Sequence, residues 1–217
     1  MATQKSAPPK RDLKKEYKHL YNPSAKEVEV VDVPELQFLM LDGEIERGLG
    51  PEQSPGFQAD MGAMYGVAYG LKFMSKLREE SPIDFTVMAL EGLWTTESGH
   101  FKFGNTEDPW LYTLLMMQPD HIDHHMFEQA VRAAGEKHSN PSLAKLRLER
   151  WHEGRSIQIM HKGPYSGEPA TIEKMDAYAE EHGYRLRGRH HEIYLGDPRR
   201  AKPENLKTIL RHPILAD

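Results

Sequence analysis

The chain has 217 residues, 38% hydrophobic and 28% charged, with a formal net charge of −5 and no cysteine. These figures fit one large soluble domain or two small fused ones, and exclude disulfides, thiol catalysis, cysteine–metal sites and an overall nucleic-acid footprint. No stretch approaches the roughly 18 apolar residues of a membrane span, and residues 1–20 lack the apolar core of a secretory signal, so a cytoplasmic protein without membrane or nucleic-acid partners is expected.

Residues 1–20 are Lys-rich, contain Pro8-Pro9, and are predicted to form a basic N-terminal arm, mobile up to about Lys15. Asp12, Glu16 and the lack of interleaved aromatics favour a solvated tail over a nucleic-acid or lipid contact. Residues 27–33 are expected to hairpin through Pro34-Glu35 into an apolar strand at 37–43. A Gly/Pro-rich loop follows, then a helix over 59–77 carrying Met61, Met64, Tyr65, Ala68, Leu71 and Phe73 at helical spacings. Strands at 84–94 and 110–118 complete a β-α-β-β unit. A linker helix spans about 120–138, capped by Asp120 or Asp123 and stopped by Ser139-Asn140-Pro141. A strand at 145–151 is expected to hairpin through His152 to Arg155 into a strand and turn at 156–165. A helix over 168–182, striped by Ile172, Met175 and Ala179 and ended by Gly183, leads to strands at 184–195 and 206–214.

The order β-α-β-β thus occurs twice, in modules of about 27–119 and 145–217 within one domain over 21–217. The fold class is α+β, a pseudo-twofold tandem with an antiparallel sheet, helices on one face and a central ligand groove at the junction of the other.

One strand is chemically odd. In His190-His191-Glu192-Ile193-Tyr194-Leu195, alternation puts Glu192 and Tyr194 on one face. A carboxylate beside a phenol on a strand suited to burial is costly unless something uses it. Aligning the two modules by eye sets Glu91 beside Glu192, which offers two carboxylates to one groove; a register shift of one residue would turn Glu91 to the opposite face. Around them, Trp94, Trp110, Tyr112, Tyr165, Tyr194 and Tyr65 are candidate ligand-stacking rings, with Met64, Met88, Met116 and Met117 as adaptable neighbours among eleven methionines. The plainer readings are a salt bridge from Glu192 to Arg187, Arg189 or a histidine, aromatics in ordinary packing, and methionines as core filler. Twelve histidines invite a metal reading. His121 and His125 lie four apart, but no His-Glu-x-x-His pattern occurs and strand neighbours His190 and His191 point apart, so no metal site and no cofactor are expected.

The stretch Glu192-Ile193-Tyr194-Leu195-Gly196-Asp197-Pro198, followed by Pro203-Glu204-Asn205-Leu206-Lys207-Thr208, resembles the C-terminal signature of GyrI-like small-molecule-binding proteins. His161-Lys162-Gly163-Pro164-Tyr165 resembles their strand-to-helix turn. Leu90 to Trp94 and Trp110 to Pro119 resemble the stand-alone branch, which lacks a DNA-binding domain. The likeness runs from about Tyr21 to Pro213. It implies the tandem β-α-β-β fold and two activities: capture of lipophilic cations by an acidic residue in an aromatic pocket, as in multidrug-sensing effector domains, and hydrolysis of the strained cyclopropane of DNA-alkylating natural products.

For such hydrolysis, water needs a base and the developing phenolate oxygen needs a donor. Glu192 is the expected base, since burial in an apolar groove raises a carboxyl's pKa toward a useful range, and Tyr65 or Tyr165 the expected donor. The leading expectation is therefore an enzyme-like protective protein against aromatic toxins. The alternatives are a pure multidrug-binding or sequestering protein and a protein-interaction module acting on a topoisomerase or regulator. Oligomeric state stays open.

Overall fold

The computed structural model describes residues 10–99 and 108–216. In chain order the elements are β1 (Lys10–Arg11), α1 (Leu13–Glu16), α2 (Lys18–Tyr21), β2 (Glu29–Ile45), α3 (Pro55–Leu77), β3 (Asp84–Phe85), β4 (Leu90–Thr96), β5 (Trp110–Met117), α4 (His124–Lys137), β6 (Arg147–Lys162), α5 (Pro169–Glu181), β7 (Tyr184–Leu186), β8 (His190–Tyr194) and β9 (Lys207–Ala216). The helix ends follow their chemistry. Ser54 caps α3 by accepting from the Phe57 amide, Asp123 rather than Asp120 caps α4 through the Met126 amide, and Gly183 ends α5 with a φ of 67°.

The strands run in the order β6-β2-β5-β4-β8-β9, and β9 also pairs with β6, so the sheet closes on itself as a six-stranded antiparallel barrel with β7 extending the β9 edge. The α+β class and the antiparallel sheet with helices packed on one side are as the sequence indicates. Closure alters one expectation: the sheet face away from the helices is the filled interior of the barrel and is not free to form a groove.

Closure depends on two long strands that replace the expected hairpins. β2 and β6 pair antiparallel from Glu29↔Gln158 to Met40↔Arg147, running straight through Pro34-Glu35 and through His152 to Arg155. Pro34 sits opposite Glu153, and pairing resumes on either side. Gly154 has a φ of 76°, and across it β6 changes which alternate residues face inward. Trp151 and Glu153 reach the inward-facing His191 on one side of it, and Gln158 reaches the inward-facing Arg211 on the other. The turn-like residues therefore encode a bend within a strand.

Residues 10–20, expected within the N-terminal arm, also pack, together with Tyr21 at the start of the expected domain. β1 pairs with β3, and Leu13, Leu20 and Tyr21 are buried in the main core. The amphipathic pattern of this short segment is masked by its lysines. The expected arm residues 1–9 lie outside the described residues.

Candidate functional site

Antiparallel pairing sets the two faces of β8. Glu192 lies opposite Gly92 on β4 and Leu210 on β9, and His191 lies opposite Leu93 and Arg211. Directly paired residues share a face. Glu192, Tyr194, His190, Trp94, Tyr112 and Trp110 therefore occupy the outer, helix-bearing face, and His191 and Glu91 point into the barrel.

On the outer face the site begins with Gly92. A Cβ there would come within 2.7 Å of Trp94 Nε1, so only glycine lets the indole fold across β4. The Trp94 indole N–H donates to the Tyr194 hydroxyl (2.8 Å), which donates to Glu192 Oε2 (2.7 Å). Glu192 Oε1 is 3.4 Å from His190 Nε2. Burial, then the charge of Glu192, raises the Tyr194 phenol well above its ordinary value, so its proton stays on the phenol and in the hydrogen bond.

Rings surround this chain. Trp110 meets Trp94 edge-on at 5.8 Å, Phe57 from the first turn of α3 lies 5.9 Å from Trp94, and Tyr165 meets Tyr194 edge-on at 5.9 Å. Tyr112 packs against Trp94 and Phe57 and donates its hydroxyl to Asp60 Oδ2 (2.7 Å), which also receives Lys145 Nζ. Tyr65, 36% exposed on α3, senses Asp197 and Arg199 of the loop after β8 and so marks the rim. Met64 and Met116 are fully enclosed in the core beneath this face.

Glu168 is the residue that sequence reasoning missed. It is the N-cap of α5, yet it is 0% exposed, and neither carboxyl oxygen meets a hydrogen-bond partner among the described residues. Burial, then the charge of Glu192, pushes its carboxyl up to about 9, against a smaller downward pull from Thr208. The Thr208 hydroxyl itself makes no hydrogen bond of ordinary geometry. A glutamate ahead of Pro169 reads as a solvated helix start, so only its burial reveals it.

Phe57 in the first turn of α3 and Tyr165 just ahead of α5 thus pack against the two ends of the Trp94–Tyr194 pair. Two depressions lie apart from Glu192: one of about 430 Å³ beside Tyr112 and Asp60, and one of about 380 Å³ between α3 and α4.

Glu91 corrects the twin-carboxylate alignment. The register places it opposite Ile193, one residue away from Glu192, and so on the inner face. There it accepts from Tyr21 Oη (2.7 Å) and from His191 Nε2 (3.0 Å). His191 Nδ1 donates to Glu153 (2.9 Å), and Glu153 accepts from Arg211 Nη1 (3.2 Å). Arg211 also donates to Gln158 Oε1 and to the Leu20 carbonyl. Burial would lift Glu153, but the charges of His191 and Arg211 outweigh it and bring the carboxyl down to about 2. Burial likewise opposes the charge on His191, and Glu153 and Glu91 overcome it, raising the imidazole to about 9. This network is closed, and it ties the N-terminal segment to the barrel.

Among the described residues no group of three or more potential ligands could hold a metal ion, and no helix is long and apolar enough to cross a membrane.

The GyrI-like small molecule binding domain model matches residues 117–215. An uncharacterised conserved protein from Listeria innocua is 37% identical, with 94% of this chain and 99% of that one covered at a TM-score of 0.84. A hydrolase from Listeria innocua is 36% identical, covering 94% and 99% at a TM-score of 0.78. The EcmrR C-terminal domain shares the fold at 11% identity, covering 88% and 98% at a TM-score of 0.51. No curated protein matches the chain. The chain belongs to the GyrI-like small-molecule-binding family.

Proposed function

We propose that this protein binds flat, amphipathic aromatic molecules in the cleft between α3 and α5 and hydrolyses those that carry an electrophilic cyclopropane, as a cytoplasmic defence against such toxins. The observation that carries this reading is the hydrogen-bonded chain Trp94–Tyr194–Glu192, which holds a carboxylate in fixed orientation among rings. Aromatic walls contribute about 0.5–2 kcal/mol per ring to a cationic or electron-poor guest. Glu192 takes a proton from the attacking water. Tyr65 and Tyr165, at the rim, hydrogen-bond the substrate oxygen. The likeness to a hydrolase from Listeria innocua supports the catalytic half.

Ring opening of a spirocyclopropyl-dienone, followed by absorbance, tests the reading. Glu192→Gln is expected to lose turnover; equal turnover in that variant sinks the mechanism. A second reading, binding without reaction, is favoured by the placement of a carboxylate under stacked rings, which suits cations that carry no electrophile. It predicts saturable dye binding, weakened by Glu192→Ala, with every ligand recovered unchanged.

A further inference from the structure

The outer face holds a second carboxyl that nothing in the fold requires. A helix N-cap glutamate is ordinarily solvated or hydrogen-bonded to its own helix. Glu168 does neither: it makes no side-chain cap bond, is wholly enclosed, and leaves both oxygens unpartnered beside Glu192. Burying such a group is costly unless it carries a proton and has work to do. The charge of Glu168 is felt by both Tyr165 and Tyr194, and that of Glu192 by Glu168, so the two carboxyls are neighbours on the ring-bearing side of the sheet.

We propose that Glu168 is the general acid of ring opening, delivering its proton to the substrate's ring oxygen while Glu192 takes one from water. This assignment rests on the hydrolytic reading above. The step balances without a redox partner. The water oxygen bonds to the cyclopropane methylene and the strained C–C bond breaks. Its electron pair passes through the dienone to the oxygen, which becomes the product's phenol by taking the Glu168 proton. Glu192 then holds the water proton, and its transfer to Glu168 restores the pair.

The tyrosines suit this task less well. Tyr194 already donates to Glu192. Burial and the charges of Glu168 and Glu192 push Tyr165 up to about 12, and burial with Asp197 raises Tyr65, so both hold their protons more tightly than the phenol that would receive one. Glu168, pushed up to about 9, keeps a proton at neutral pH and is still acidic enough to give it up. The titratable groups facing this region are Glu192, Tyr194 and His190 of β8, Tyr165 ahead of α5, Asp197 after β8 and Glu52 ahead of α3. His161 on β6 is occupied by Thr171 and the Pro164 carbonyl.

The test is single-turnover opening of a spirocyclopropyl-dienone by the full chain across about pH 6 to about pH 10. The wild type is expected to lose rate as pH rises through about 9. Glu168→Gln should fall by about a hundredfold or more and lose that alkaline limb. Glu168→Asp should run slowly with the limb kept, and a dienone whose product phenol is more acidic should narrow the gap between wild type and Glu168→Gln. A Glu168→Gln variant that matches the wild-type rate, or keeps the limb, overturns the assignment. So does a Glu168→Asp variant without the limb, or a gap indifferent to the product phenol. A wild type that binds the dienone but never opens it overturns the hydrolytic reading, and this assignment with it.

Discussion

The two faces of β8 use the same residue types for opposite ends. Inward, His191 joins Glu91, Glu153 and Arg211 in a network where each charge meets an opposite one. Outward, the charge of Glu192 helps keep a proton on Glu168, and neither Glu168 oxygen meets a hydrogen-bond partner of ordinary geometry among the described residues. A closed network is what a fold needs from buried polar groups, and an unclosed one is what chemistry needs. The difference separates the structural carboxylates from the functional candidates more reliably than burial does, because all four glutamates are buried.

The largest effect is expected inside the barrel. Removing Glu153 as Glu153→Ala strands Arg211 and His191 and should cost about 3–5 kcal/mol, read as the urea midpoint. A change below about 1 kcal/mol would erase the distinction between the faces. The pH dependence of this face has a definite sign. Glu153 lies near 2 in the fold against an ordinary 4.5, so its contribution is full above 4.5 and is lost as pH falls through about 2. His191 lies near 9 against 6.5, so its contribution is full below 6.5 and is lost as pH rises through about 9.

On the outer face the next effect is catalytic. Glu192→Gln should reduce dienone turnover by about a hundredfold or more while moving the urea midpoint little. Instability without selective loss of turnover would return Glu192 to a packing role.

Glu168→Gln sharpens the contrast through stability. The Glu168 carboxyl lies near 9 in the fold against 4.5, so the wild type is favoured by this group below 4.5 and loses that advantage as pH rises through about 9. The variant should match the wild type near pH 4 and exceed it by about 1–3 kcal/mol near pH 9. The opposite slope would show a hidden partner for the carboxyl.

The smallest effect concerns orientation. Trp94→Phe removes the indole donor to Tyr194 and should weaken binding of an aromatic cation by about 1 kcal/mol, roughly fivefold by calorimetry. Unchanged affinity would mean that Tyr194 holds Glu192 without help.

Much of this was legible in the residues. The repeated β-α-β-β order, both module helices and the Gly183 cap all follow from local pattern, as does the placement of Glu192 beside Tyr194. Where reading failed, the cause was nonlocal. Pro34-Glu35 and Glu153-Gly154 carry turn residues, yet each long strand finds the other as its partner and continues. Glu91 and Glu192 look equivalent along the chain, and a single residue of register puts them on opposite faces. Glu168 sits at a helix start where a charge is ordinary.

The sequence alone determined the alternation within β8, since a strand's side-chain period is fixed by its backbone. It thereby determined that Glu192 and His191 part ways. Only the tertiary structure decided what each one meets. Barrel closure through β6 and β9 turned the inner face into a sealed compartment with balanced charge. Docking of α5 carried Glu168 out of water and beside Glu192. Register and docking depend on partners distant in the chain, and no local pattern encodes them.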